Sequence, residues 1–197
     1  MLLKLLSPQD KSDFLVIAEL ITLCDKPLLC EGEKIEKLTS QSNFDMVTIQ
    51  HGETDVVLMD ELIKECNVTN FDKLITTQKV FFSSCIDETI EKKLLEKLKK
   101  HPLQKIEETT TRLGVALEVL RDMLKGKKIE LPSVPKLQLL ELMQVALVDG
   151  SISSIKIQLL NEFTQHFRLE SYVFTELLER AEVISREINK TLTIILE

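Results

Sequence analysis

Apolar residues in this chain recur every three or four positions over most of its length, and few residues interrupt them. Phe14, Ile17, Ala18, Ile21 and Cys24 fall on one helical face. So do Val57, Leu58, Leu62, Ile63 and Cys66, and later Leu113, Leu117, Leu120 and Leu124. Among 197 residues there are only five Gly and five Pro, no Trp and one Tyr. A sequence so poor in breakers and rich in straight-chain or γ-branched residues favours helices over sheets. The expected fold is all-α, a compact bundle of about seven or eight helices.

The boundaries are legible in places. Ser7 reads as an N-cap, Pro8 as the first helical residue and Asp10 as the acid of a capping box. Asp25-Lys26-Pro27 ends that helix, because the residue before a proline is pushed out of the helical region. A second helix is expected from about Cys30 to Leu38. Within 39–54, MVTIQ reads as one arm of a hairpin or as loop. Helices are expected from Thr54 to Cys66, from a Thr69 or Asn70 cap through Phe81, over 86–100, and over 102–125, where Lys125-Gly126 is a helix stop. KKIELPSVP (127–135) is the best linker. An apolar helix over 136–148 turns at Asp149-Gly150, the next runs from Ser153 or Ser154 to about Arg168, and the last from Glu170 or Ser171 to the end. The chain reads as one domain over 1–197: a first unit at about 1–85, a middle helical insertion at about 86–130 and a second unit at about 131–197.

The two units repeat a pattern. In FLVIAELITLCDKPLLCEGEKIEKL (14–38) and LLELMQVALVDGSISSIKIQLLNEF (139–163), an apolar helix ends at Asp25 or Asp149, and Leu28 or Ile152 lies three residues on. A carboxylate at a helix C-terminus faces the negative end of the macrodipole, so it asks for compensation by a cation, a Lys or Arg, or N–H groups of the next helix. The bland alternative is turn chemistry, since Asp-Gly is a common turn dipeptide and Asp caps helices.

VALVDGSISSIKIQLLNEF resembles the signature of the tellurite-resistance TerB-like family: an apolar helix with Ala shortly before Asp-Gly, then an apolar residue and a Glu six after the Asp. The resemblance implies an all-helical internal pseudo-repeat with acidic loop residues linked to divalent-metal binding, in stress-response or co-chaperone settings. Asp25 and Glu31 match the Asp and the Glu at +6 in the first unit, and Asp149 and Gly150 match the Asp-Gly in the second. The chain departs from the pattern where Ile155 replaces the second Glu and Lys26 replaces the first Gly. An ion bound by Asp25, Glu31, Glu33 and Asp149 would be a hard one, Ca²⁺ or Mg²⁺, because the donors are oxygens.

Other features have bland readings. The lysine run Lys92, Lys93, Lys97, Lys99, Lys100 with His101 could touch an acidic partner or a membrane surface, but interleaved Glu91 and Glu96 suit a solvated helix face. Phe174, Leu177, Ala181, Ile184, Ile188 and Ile195 form a near-heptad seam that closes the domain or forms a homodimer. Cys24, Cys30, Cys66 and Cys85 make no CxxC pair, which argues against a zinc site and fits reduced thiols in the cytoplasm. Net charge −7 opposes nucleic-acid binding, and no apolar stretch is long enough for membrane insertion. No GxSxG, Walker A, GxGxxG or HExxH occurs. The expectation is a non-enzymatic, cytoplasmic, TerB-like protein of stress response or sensing that binds other proteins and a divalent cation. Behind it stand a plain helical interaction or scaffold module without metal, and a metal-dependent enzyme with an acidic site.

Overall fold

The computed structural model describes residues 2–30, 33–34, 47–66, 89–127 and 131–196. Its order is α1 (Pro8–Leu23), β1 (Leu28–Cys30), β2 (Glu33–Lys34), β3 (Val47–Ile49), α2 (Glu53–Cys66), α3 (Ile90–Leu98), α4 (Thr109–Leu124), α5 (Ser133–Ala146), α6 (Ser154–His166) and α7 (Ser171–Leu196). The chain is predominantly helical, as its periodicity demands, with one small sheet among the described residues.

Helix α1 is the centre. From Phe14 to Leu23 it is buried on nearly every side, Val16 being the partly covered exception. A stretch that presents apolar residues on every face must be enclosed, and α5, α2, α3 and α4 enclose it. Its start is as the sequence predicts: Pro8 is the first residue, and the Ser7 hydroxyl accepts the Asp10 N–H at 3.2 Å. The same device opens α3, where Thr89 accepts from the Lys92 N–H, and α6, where Ser153 accepts from the Lys156 N–H.

Three expectations are corrected. The helix placed over Cys30–Leu38 does not begin there: Cys30 ends β1 and Glu33–Lys34 form β2, both in an antiparallel sheet of order β2-β1-β3. Residues 35–38 lie outside the described residues. Pro27 holds the chain extended on leaving α1, and Leu28, Leu29 and Cys30 then pair with Ile49, Thr48 and Val47. MVTIQ is thus a strand arm, with Val47 and Ile49 buried and Thr48 exposed. Carboxylates pin the sheet: Glu107 accepts the Leu28 N–H and Glu91 the Ile49 N–H, both at 2.8 Å.

The long helix expected over 102–125 is divided. Leu103–Lys105 form a single 3₁₀ turn, and α4 begins at Thr109. Glu108 is extended there, and three successive threonines (109–111) weaken helical preference at the break. Residues 133–135 of the expected linker instead open α5, with Pro135 in its first turn, where the missing N–H costs nothing. The helix expected through Phe81 lies outside the described residues.

The α4 stop at Gly126 and the turn at Gly150 both use positive φ, 78° and 82°, a backbone region glycine enters without steric cost. Helix α7 packs against α5 and α6. No helix among the described residues is long and apolar enough to cross a membrane.

Candidate functional site

The two aspartates singled out by the repeat come together. Asp25 follows the end of α1 and Asp149 the end of α5, and both face the ammonium of Lys156, at 3.8 and 3.4 Å. Lys156 comes from the first turn of α6 and is 1% exposed. A second ammonium, Lys26, stands 3.1 Å from Asp149 and 2.5 Å from Asp55 in the first turn of α2. The chain of charges therefore alternates: Asp25, Lys156, Asp149, Lys26, Asp55.

Helix geometry explains this order. Each apolar helix ends on a carboxylate at its negative pole, and a lysine from another element offsets it. Asp55 sits at the positive pole of α2, a favourable position. Gly52 makes room for it, since a methyl group there would overlap the Asp55 carboxylate and press on Lys26 Nζ.

The bare carbonyls at the end of α1 have their own partner. Arg112 of α4 is buried, and its Nη2 donates to the carbonyls of Leu23, Cys24 and Lys26 at 3.3, 3.0 and 2.8 Å. Last-turn carbonyls have no intrahelical donor, so the guanidinium acts as a C-cap delivered from another helix. Glu107 lies 3.7 Å from Arg112 Nη1, and the same carboxylate holds β1.

The protonation behaviour follows from these contacts. Burial pulls Lys26 down, but the hydrogen bonds it donates to Asp55 and Asp149 outweigh that and raise its pKa. Burial pushes Asp149 up, and Lys26 and Lys156 overcome that, leaving it below its ordinary value. Burial lowers Arg112. The Cys24 thiol, beside Asp25, is driven well above its normal range, first by burial and then by that charge, so it is no nucleophile.

Of the four ligands expected for a cation, Asp25 and Asp149 converge on the lysines. Glu31 lies outside the described residues, and of Glu33 only the strand backbone is described. Among the described residues no three His, Cys, Asp or Glu gather in a metal-holding group. Asp25 Oδ1 and Asp55 Oδ1 are buried without a hydrogen-bond or ion-pair partner, whereas Asp55 Oδ2 and Arg112 Nη1, also buried, are met by their ion-pair partners Lys26 and Glu107.

A groove of about 440 Å³ opens beside this turn, between Gly150, Ser151, Ile152 and the α7 residues Leu178, Glu182, Ser185, Arg186 and Asn189. Its walls do not include Asp25, Asp55 or Asp149.

Sequence reasoning missed Lys26, Asp55, Arg112 and Lys156 as members of the cluster. Two were marked by the departures from the family pattern: Lys26 takes the place of the first Gly, and Lys156 follows the Ile155 that replaces the second Glu. Arg112 and Asp55 carried no such mark, because their partners are distant in sequence. No protein-family model, curated protein or solved structure significantly matches the chain.

Proposed function

We propose that this chain is a non-enzymatic, TerB-like helical protein of stress response or sensing that works by binding other proteins. The observation that carries this reading is the apolar face of α7. Ile184, Ile188, Leu192 and Ile195 stay exposed on a helix whose first half is packed, and a contiguous exposed apolar patch marks an interaction surface. The carboxylate cluster supports the same reading from the other side. Its acids are neutralised within the chain by Lys26, Lys156 and Arg112, an arrangement suited to locking α1, α2, α4, α5 and α6 together. The stress-response assignment rests on the resemblance of the two helix–turn units.

A second reading, a divalent cation held at the turns, is favoured by the buried, unpartnered Asp25 Oδ1 and Asp55 Oδ1. Thermal melting of the wild type and of Asp149→Asn, titrated with Ca²⁺, Mg²⁺, Mn²⁺ and Zn²⁺, separates the two. A ligand of the folded state alone raises stability by mass action. The expected result is no shift in either protein. A shift of several degrees in the wild type that vanishes in Asp149→Asn overturns the metal-free reading in favour of the cation.

A further inference from the structure

We infer that the distal half of α7 pairs antiparallel with the same segment of a second copy of this chain. The inference rests on the protein-binding reading above and names the partner.

Helix α7 runs from Ser171 to Leu196, about 39 Å. Its proximal half is seated: Val173 and Ala181 are buried, and Phe174, Leu177 and Leu178 pack against the core. After Ser185 every described residue of the helix is exposed. Residues 186–196 add about 16 Å of helix beyond that point.

The apolar face does not end where the body does. Successive steps of about 100° place Ile184, Ile188, Leu192 and Ile195 within about 80° of one another. The same side carries Val173, Phe174, Leu177, Leu178 and Ala181, so the core-facing stripe continues in phase. Ile188, Leu192 and Ile195 are 53%, 47% and 69% exposed. An apolar stripe that keeps its phase through a segment exposed at every position is built to lie against another surface.

Three observations select a second copy. The stripe from Ala181 to Ile195 contains no charge. Arg186, Glu187 and Lys190 lie off it, and the last two form their own ion pair at 2.7 Å. Two identical stripes can therefore meet without like charges opposed. Next, the spacing is self-complementary: a two-fold axis near residues 189–190 sets Ile184 against Ile195 of the other copy, and Ile188 against Thr191 and Leu192. Each apolar position is then covered by another from the same stripe, and the contact closes. Finally, the stripe and its flanks offer on the order of 500 Å² of apolar surface per copy, near the low end for a specific dimer. The pairing is accordingly a concentration-dependent equilibrium.

Sedimentation equilibrium on the full chain, from about 1 µM to 0.5 mM, tests this. The expected result is a rise from one chain toward two, with Ile188→Asp and Leu192→Asp each weakening association by about ten-fold or more. Both positions are exposed, so the dilute variants keep the wild-type melting temperature, which separates loss of pairing from loss of fold. Three outcomes overturn the inference: a wild type that stays a single chain throughout, a dimer that survives Ile188→Asp, or growth beyond two chains. None depends on the cation titration. A monomeric wild type leaves the protein-binding reading in place, whereas a cation shift leaves the pairing in place.

Discussion

Glu19 shows how much one residue can hold in reserve. It lies in the buried stretch of α1, 7% exposed, and its carboxyl is pushed up to about 8, first by burial and then by Glu91, with Lys93 opposing. The folded state thus binds a proton that the unfolded state releases near pH 4.5. Stability falls as pH rises from there toward 8, since the folded state binds more protons across that window. Glu19→Gln removes the liability. Urea denaturation should show the variant more stable than wild type at pH 8, by on the order of 3 kcal/mol, and nearly equal to it at pH 4.5. An equal difference at both values would place the effect in packing. The Asp149 case has the opposite sign: held low by Lys26 and Lys156, it contributes at neutral pH and is lost as pH falls below the ordinary carboxylate range.

Between elements, Lys156 matters most. It is carried by α6 and answers carboxylates at the ends of α1 and α5, so one side chain joins three helices. Lys156→Met keeps the stem and removes the charge, leaving Asp25 and Asp149 with a shared deficit. Stripping one partner from a buried pair costs about 3–5 kcal/mol, and the exposure of Asp149 places this change near or below the low end. The loss measured by chemical denaturation should shrink as pH falls below the ordinary carboxylate range, where Asp149 takes up a proton. The helices themselves were legible wherever a local signal existed. Ser7-Pro8 and Ser153 are caps that need only their own neighbours, whereas the Thr89 cap of α3, inside the helix expected over 86–100, was not read. The small sheet was less legible, because a three-residue strand has no periodicity and depends on pairing with residues about twenty positions away. The repeat located Asp25 and Asp149, while their counter-ions were set by tertiary packing that no local pattern encodes.

At the scale of the whole molecule, net charge and the α7 stripe act against each other. Each copy carries −7, so two copies repel at long range while their stripes attract on contact. Added salt screens the repulsion and leaves apolar association in place. Raising NaCl from about 50 to 500 mM should strengthen pairing in sedimentation runs, and a salt-weakened association would point to opposite charges as its source. The all-α architecture was readable because it is a property of the entire sequence: few breakers, steady periodicity and ample aliphatic mass. The unequal halves of α7 were not readable, since the seam looks the same along its length. Where the body stops beneath it is set by the ends of α5 and α6.

The Lys26–Asp149 contact joins residues 123 positions apart, and Lys156 reaches back to Asp25 over a comparable distance. This gives the clasp an order in time. As the chain leaves the ribosome, Lys26 and Asp55 can meet early, but Asp25 must wait for α6. Until then the first helix, buried on nearly every side from Phe14 to Leu23 in the finished fold, lacks both the Lys156 ammonium and the α5 surface that helps cover it. Newly made chains therefore pass through a stage in which α1 is translated yet covered only by α2, α3 and α4, and only the arrival of α5 and α6 completes its enclosure.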